Sequence, residues 1–200
     1  MCPGLADHLT DDRLSVAERS ALVLDRELYP LGGGYVLPDA IDGLALRAGL
    51  VAVSASDRRV AELDTAAWVW GARAVPPAQV ELASPIGLAP RLSAVAAGHT
   101  REVRLAESDV TRIGSLWITT RARTALDLLR YRDELSYRPE IVRDLVTPSG
   151  FAELDRMLNA RTRLPHARRA RARLARLRIA SGLDAHDERI GSPDPAVSHR

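Results

Sequence analysis

Arg123 and Asp127 stand four residues apart in the run RARTALDLL (121–129). That spacing sets both side chains on one face of a helix and pairs a guanidinium with a carboxylate. The expected chemistry is a local ion pair holding the helix start. Asp127 has no His and no second carboxylate beside it in the sequence, so it does not read as an acid–base centre. A second pattern lies further on. From Pro165, the residues Ala167, Ala170, Leu174 and Leu177 recur at intervals of three, four and three, which is one helix face. Arg169, Arg173 and Arg176 follow one edge of that stripe, and Arg168, Arg171 and Arg178 the other. Guanidinium groups on both sides of a buried stripe suit phosphate contacts, and equally a solvated, Arg-rich surface helix.

Other chemistries find little support. The His residues are His8, His99, His166, His186 and His199, and none has a Cys or carboxylate partner at zinc spacing apart from the string His186-Asp187-Glu188; no metal or cofactor is expected. There is no G-x-S-x-G, and the chain has no Lys for a phosphate-loop motif. Gly32-Gly33-Gly34 leads into an extended run rather than a helix, so it reads as a tight turn and not as a phosphate cradle. An enzyme is not expected.

Charge separates along the chain. Residues 1–60 carry 9 acids and 6 Arg, whereas residues 151–200 carry 6 acids and 11 Arg, so a net charge of +2 hides an acidic start and a basic end. All 28 basic residues are Arg, each a permanently charged planar fork. One Phe and four Tyr leave little for base-stacking platforms. The lone Cys2 excludes an internal disulfide. No apolar run spans a membrane and the first residues do not read as a secretory signal, so a cytoplasmic location is expected.

The elements that position these residues follow from caps, breakers and period. Ser15-Val-Ala-Glu18 reads as a capping box opening a helix to Leu24, with Val16, Leu22 and Val23 as buried candidates. Leu28–Leu31 and Tyr35–Leu37 flank the Gly cluster as a hairpin. Helices are expected over Ile41–Val51 and from Asp64 to Gly71, with Pro76-Pro77 as a break. Trp68 and Trp70 cannot share a helix face; Trp68 is expected to be buried with Leu63 and Ala72, and Trp70 to lie near a boundary. Strands are expected at Gln79–Ala83, Arg101–Leu105 and Ser115–Thr119. Helices then cover Arg121–Tyr131, Pro139–Val146, Gly150–Ala160 after a Ser149 cap, and Pro165 to Ala180 with Pro165 in the first turn. The switch from period-2 to 3.6-period runs near Thr120 gives an α+β class, with a small, mainly antiparallel sheet and a helical C-terminal half.

Four stretches together resemble the AbiEi-type antitoxin family, the regulator partners of type IV abortive-infection toxin–antitoxin pairs. SALVLDRELYPLGGGYVLPDA (20–40) resembles the end of that family's winged helix: a recognition helix, a turn and a Gly-centred wing. RRVAELDTAAWVWGA (58–72) is similar to the helix after a short strand in its linking segment, and VTRIGSLWITTRARTALDLLRY (110–131) to its strand leading into an Arg-Thr-x-x-Asp-Leu helix. RLPHARRARARL (163–174) resembles the family's C-terminal helical end. The resemblance implies a shortened, partial winged-helix-like unit over 1–40 and an AbiEi-like α+β body over 41–182 ending in the basic helix. Acidic and then Pro/Ser-rich residues 183–200 are expected to form a disordered tail. It implies a DNA-binding transcriptional regulator of a toxin–antitoxin or phage-defence locus. Duplex DNA would meet Arg13, Arg19 and Arg26 near the wing, with Arg168, Arg169, Arg171, Arg173, Arg176 and Arg178 adding phosphate contacts. A nucleotidyltransferase-like toxin is the implied counterpart. The alternative is a non-catalytic module of the same family that binds its partner without binding DNA.

Overall fold

A computed structural model describes residues 8–9, 14–55, 59–86, 98–146, 150–160 and 164–182. Arg13, Ser149, the 186–188 string and residues 183–200 lie outside these. The elements are β1 (His8–Leu9), α1 (Val16–Leu24), β2 (Tyr29–Leu31), β3 (Gly34–Val36), α2 (Leu44–Ser54), β4 (Val60–Ala61), α3 (Leu63–Val69), β5 (Val80–Pro85) and β6 (Gly98–Val103). A 3-10 turn (Glu107–Asp109) leads to β7 (Val110–Ile113), β8 (Leu116–Thr119), α4 (Arg121–Tyr131), α5 (Pro139–Leu145), α6 (Gly150–Ala160) and α7 (Ala167–Ala180). The class is α+β.

The capping box forms as read: the Glu18 amide donates to the Ser15 hydroxyl at 3.2 Å, and the Ser15 amide to the Glu18 carboxylate at 2.7 Å. The buried positions of α1 do not follow. Val16 is 71% exposed, Leu22 and Val23 are half-buried, and no residue of α1 is fully buried. The cap fixes where this helix begins, while none of the described residues buries its outer face. The hairpin pairs Tyr29 with Val36 and Leu31 with Gly34, and β1 adds to β3 on its other side. Gly32 at its turn has φ +57°, and a Cβ there would stand 2.4 Å from the Trp68 ring. Only glycine lets the turn approach this closely.

The helix expected from Ile41 begins at Leu44 instead. Ile41 is exposed, and Asp42 turns to receive the Arg47 guanidinium at 2.6 and 2.7 Å, holding the entry outside the helix.

The larger sheet has the order β6-β5-β4-β8-β7 and is mixed. β4–β5 and β7–β8 are antiparallel, whereas β4–β8 and β5–β6 are parallel. Half the ladders therefore depart from the antiparallel expectation. The physical reason is connection length: residues 86–97 between β5 and β6 supply the dozen or so that a parallel crossover needs. β7 was hidden in the sequence because its strand pattern runs into that of β8; Gly114, at φ +58°, makes the turn between them. Along β8, Leu116 and Ile118 are buried while Trp117 faces out, the period-2 pattern of a strand.

Two cores meet at α3. Leu46, Leu50, Val51, Trp68, Leu82 and Ile118 form one between α2 and the sheet. Leu126, Leu129, Val142, Phe151, Leu154 and Leu174 are among those forming the other, between the C-terminal helices. Trp68 is buried as expected, yet it belongs to the sheet-side core, whereas Leu63 and Ala72 belong to the helical one. Trp70 packs against both cores and donates its indole N–H to the Thr119 carbonyl at 2.9 Å, so it does sit at a boundary.

Replacing Gly33 by Ala should cost about 1–2 kcal/mol from its positive φ alone. Gly32→Ala should cost about 1–3 kcal/mol more, because its Cβ also meets the Trp68 ring. Urea unfolding of both variants measures the difference, and equal losses would contradict the seating of this turn on Trp68.

Candidate nucleic-acid interface

Asp127 lies at the centre of α4 with its carboxylate fully buried. An isolated charge there would be expensive, so the surroundings must supply cations. Arg123 Nε donates to Oδ2 at 2.8 Å and an Arg130 Nη donates to Oδ1 at 2.8 Å. The expected Arg123–Asp127 pair therefore exists, but as part of a larger set. The other arm of Arg123 reaches Asp109, in the 3-10 turn before β7, at 2.5 Å. Arg101 of β6 lies 3.8 Å from Asp127 and forks onto Glu62 at 2.7 and 2.8 Å. Three guanidinium groups thus meet three carboxylates from four segments of chain.

Local geometry makes this possible. Thr120 caps α4 by accepting from the Arg123 amide at 3.3 Å, which starts the helix so that Arg123, Asp127 and Arg130 turn inward. Leu63 adopts a left-handed φ of 51°, and the flanking residues diverge: Glu62 meets Arg101, while the Asp64 amide donates to Glu81 at 2.9 Å. Burial pushes the Glu62 carboxyl above its usual range despite Arg101. Burial pulls the Arg123 guanidinium down, but Asp127 and Asp109 more than offset it and leave it raised. For Arg130 burial wins, and its affinity for the proton is lowered. Tyr131 is held between two cations: Arg101 is 3.8 Å and Arg130 4.5 Å from its ring centre, and Arg130 also donates to its hydroxyl at 2.8 Å. The donors and acceptors of this set are spent on one another and, for Arg130, on the Tyr131 hydroxyl and the Pro165 carbonyl, an arrangement suited to holding elements together.

A second ionic cluster borders a surface groove of about 640 Å³ between the segment after α3 and the start of α5. Arg132 bridges Asp64 at 2.9 Å and Glu81 at 2.5 Å, and Arg73 meets Asp64 at 3.0 Å. Burial raises the Asp64 carboxyl. Among the described residues no cluster of His, Cys, Asp and Glu is arranged to hold a metal, and no helix is long and apolar enough to cross a membrane.

The basic helix α7 packs on α4 and α6 through Ala170, Leu174 and Leu177, the stripe read from the sequence, with Ala167 half-buried. It begins at Ala167, so Pro165 lies outside its first turn. His166 at φ 59° breaks the helical path, and the Pro165 carbonyl accepts from Arg130 Nε at 2.9 Å. The six arginines then divide. Arg168, Arg169 and Arg176 are exposed and make no ion pair among the described residues. Arg171 is exposed while donating to the Leu158 carbonyl at the end of α6, at 3.1 Å. Arg178 pairs with Asp155 at 2.7 Å, half-exposed.

Arg173 is a correction. It is 3% exposed, donating to the Leu129 and Arg132 carbonyls at 3.1 and 2.8 Å and to Glu134 at 2.7 Å, with its guanidinium 4.1 Å from the Tyr137 ring centre. It cannot meet a phosphate in this structure, because the end of α4 leaves carbonyls unsatisfied and Arg173 is the donor within reach. Arg19 leans on the hairpin with its guanidinium 5.7 Å from the Tyr35 ring centre, and Arg26 is exposed at φ 61° just past α1. These two belong to the N-terminal hairpin unit, and the α7 arginines to the helical half.

Sequence spacing missed Glu62, Arg101, Asp109 and Arg130. Arg130 was findable, three residues beyond Asp127 and on its face. The others come from separate strands and a turn, and no local pattern marks them. No protein-family model matches this chain, and no curated protein matches it.

Asp127→Asn should destabilise by about 3–5 kcal/mol, because it leaves Arg130 buried without a counter-charge and Arg123 with Asp109 alone. Asp155→Asn, at the half-exposed pair, should cost less than about 1 kcal/mol. Chemical denaturation of the two variants measures this, and similar small losses would show that the buried network does not hold the fold.

Proposed function

We propose that this chain is an AbiEi-like, antitoxin-type transcriptional regulator that binds duplex DNA in the cytoplasm and acts by binding rather than by catalysis. The observation that carries the reading is the solvent face of α7. Arg168, Arg169, Arg171 and Arg176 are exposed on a helix without a single acid, while the remaining α7 arginines are engaged with the body. Exposed guanidinium groups on a fixed helix are suited to the regularly spaced phosphates of a duplex. They spread around the helix rather than converging on one point, which suits backbone contacts more than base readout. Arg13 and Arg19, just before the stretch at 20–40 that resembles a recognition helix and wing, and Arg26 within it would supply orientation. A nucleotidyltransferase-like toxin is the counterpart this family resemblance implies.

One observation favours the alternative, a module that binds a protein partner without DNA. Helix α1 exposes Val16 and Leu24 and carries Glu18, with Asp25 and Glu27 just beyond it, a poor charge pattern for a DNA groove.

Duplex binding measured across a salt series separates the two. Log affinity should fall by about 0.9 per log salt for each phosphate neutralised. Replacing Arg168, Arg169 and Arg176 together with Ala should weaken all sequences alike and lower that slope by up to about three. No retention of the wild-type chain on duplex DNA at about 50 mM salt, where such contacts are strongest, would overturn the DNA reading in favour of the protein-binding one.

A further inference from the structure

α7 is an awkward helix to hold in place. Its buried apolar anchor is Ala170, Leu174 and Leu177, and it carries six arginines and no acid. Like charges one turn apart, such as Arg169 and Arg173, oppose helix formation. What accompanies the small anchor is a reciprocal exchange with α4. Arg130 of α4 donates to the Pro165 carbonyl on the chain entering α7. Arg173 of α7 donates to the Leu129 and Arg132 carbonyls on the chain leaving α4.

We propose that Arg173 is a positioning residue for the phosphate-facing surface, an inference that rests on the DNA-binding reading above. Arg173 lies on the same helix edge as Arg169 and Arg176, four residues after one and three before the other. Pinning it inward fixes the rotation of α7 about its own axis. Arg169 and Arg176, each slightly further round the helix, then project into solvent. Arg130 fixes the other end, and through Asp127 it ties α7 to Arg123 and Asp109 beside the sheet. Glu134 is 76% exposed and neutralises one arm of Arg173 without taking part in the backbone clamp.

Two variants test this, each read by hydrogen exchange of the α7 amides and by the salt dependence of duplex DNA binding. In Arg173→Met, α7 should exchange at least about tenfold faster, since two charged hydrogen bonds to backbone are lost. Its salt slope should fall by more than the roughly 0.9 owed to one phosphate contact, because neighbouring arginines lose register. In Glu134→Gln the backbone clamp stays, so exchange and slope should both stay at wild-type values. A direct phosphate role for Arg173 gives a different pattern. Glu134→Gln would release the guanidinium and raise the slope by roughly 0.9, and Arg173→Met would lower it by the same amount with exchange unchanged; either result overturns the proposal. If Arg173→Met does not fold, the slope of Glu134→Gln decides. If the wild-type chain does not bind DNA at all, the DNA reading fails, and unchanged exchange in Arg173→Met would separately overturn the clamp.

Discussion

A negative charge at the centre of the molecule is the constraint on which the rest depends. Asp127 is fully buried, and its two oxygens accept from Arg123 and Arg130 on its own helix. A carboxylate in that position is tolerable only with both partners in place and with their remaining donors satisfied. Those donors reach Asp109, the Pro165 carbonyl and the Tyr131 hydroxyl. Satisfying one helix therefore fixes the turn before β7 and the entry to α7. Arg101, 3.8 Å away and forked onto Glu62, brings β6 and the end of β4 into the same ionic set. Burial continues unbroken from Arg123 to Arg130, so α4 is the axis against which α3, α5, α6 and α7 pack.

From this follows a division of labour among arginines in a chain that has no Lys. Those near α4 are internal fasteners, chosen well because a guanidinium satisfies several acceptors in one plane. Arg173 shows how far this goes: a residue on the edge of the basic stripe is turned inward to hold backbone carbonyls and Glu134. Those left outside, Arg168, Arg169, Arg171 and Arg176, form the exposed charge on which the proposed DNA contact rests. Charge counted along the sequence treats both groups alike, although their surroundings assign them opposite tasks.

Local signals in the sequence were readable where one element decides the outcome. The Ser15–Glu18 box, the bounds of α4 and α6, and the Ala170-Leu174-Leu177 stripe all depend on residues within a turn or two of each other. The sheet was only half legible, because ladder direction depends on how a long connection crosses, and residues 86–97 carry turn residues that suit a hairpin as readily as a crossover. The candidate site divided in the same way. Arg123 and Asp127 showed by spacing, but Glu62, Arg101 and Asp109 converge from distant segments. Arg173 was misassigned for a related reason: its edge of the stripe is visible in sequence, while the unsatisfied carbonyls that capture it belong to α4.

The most direct test of these two arginine classes observes each side chain separately. Arginine Nε–H resonances, followed by NMR as duplex DNA is added at low salt, report on the guanidinium groups one by one. Those of Arg168, Arg169, Arg171 and Arg176 should shift with added DNA and return as salt is raised, while those of Arg123, Arg130 and Arg173 stay in place. Shifts at the buried arginines with none at the exposed four, or no shift in either class, would contradict the assignment of an internal scaffold and an external phosphate face.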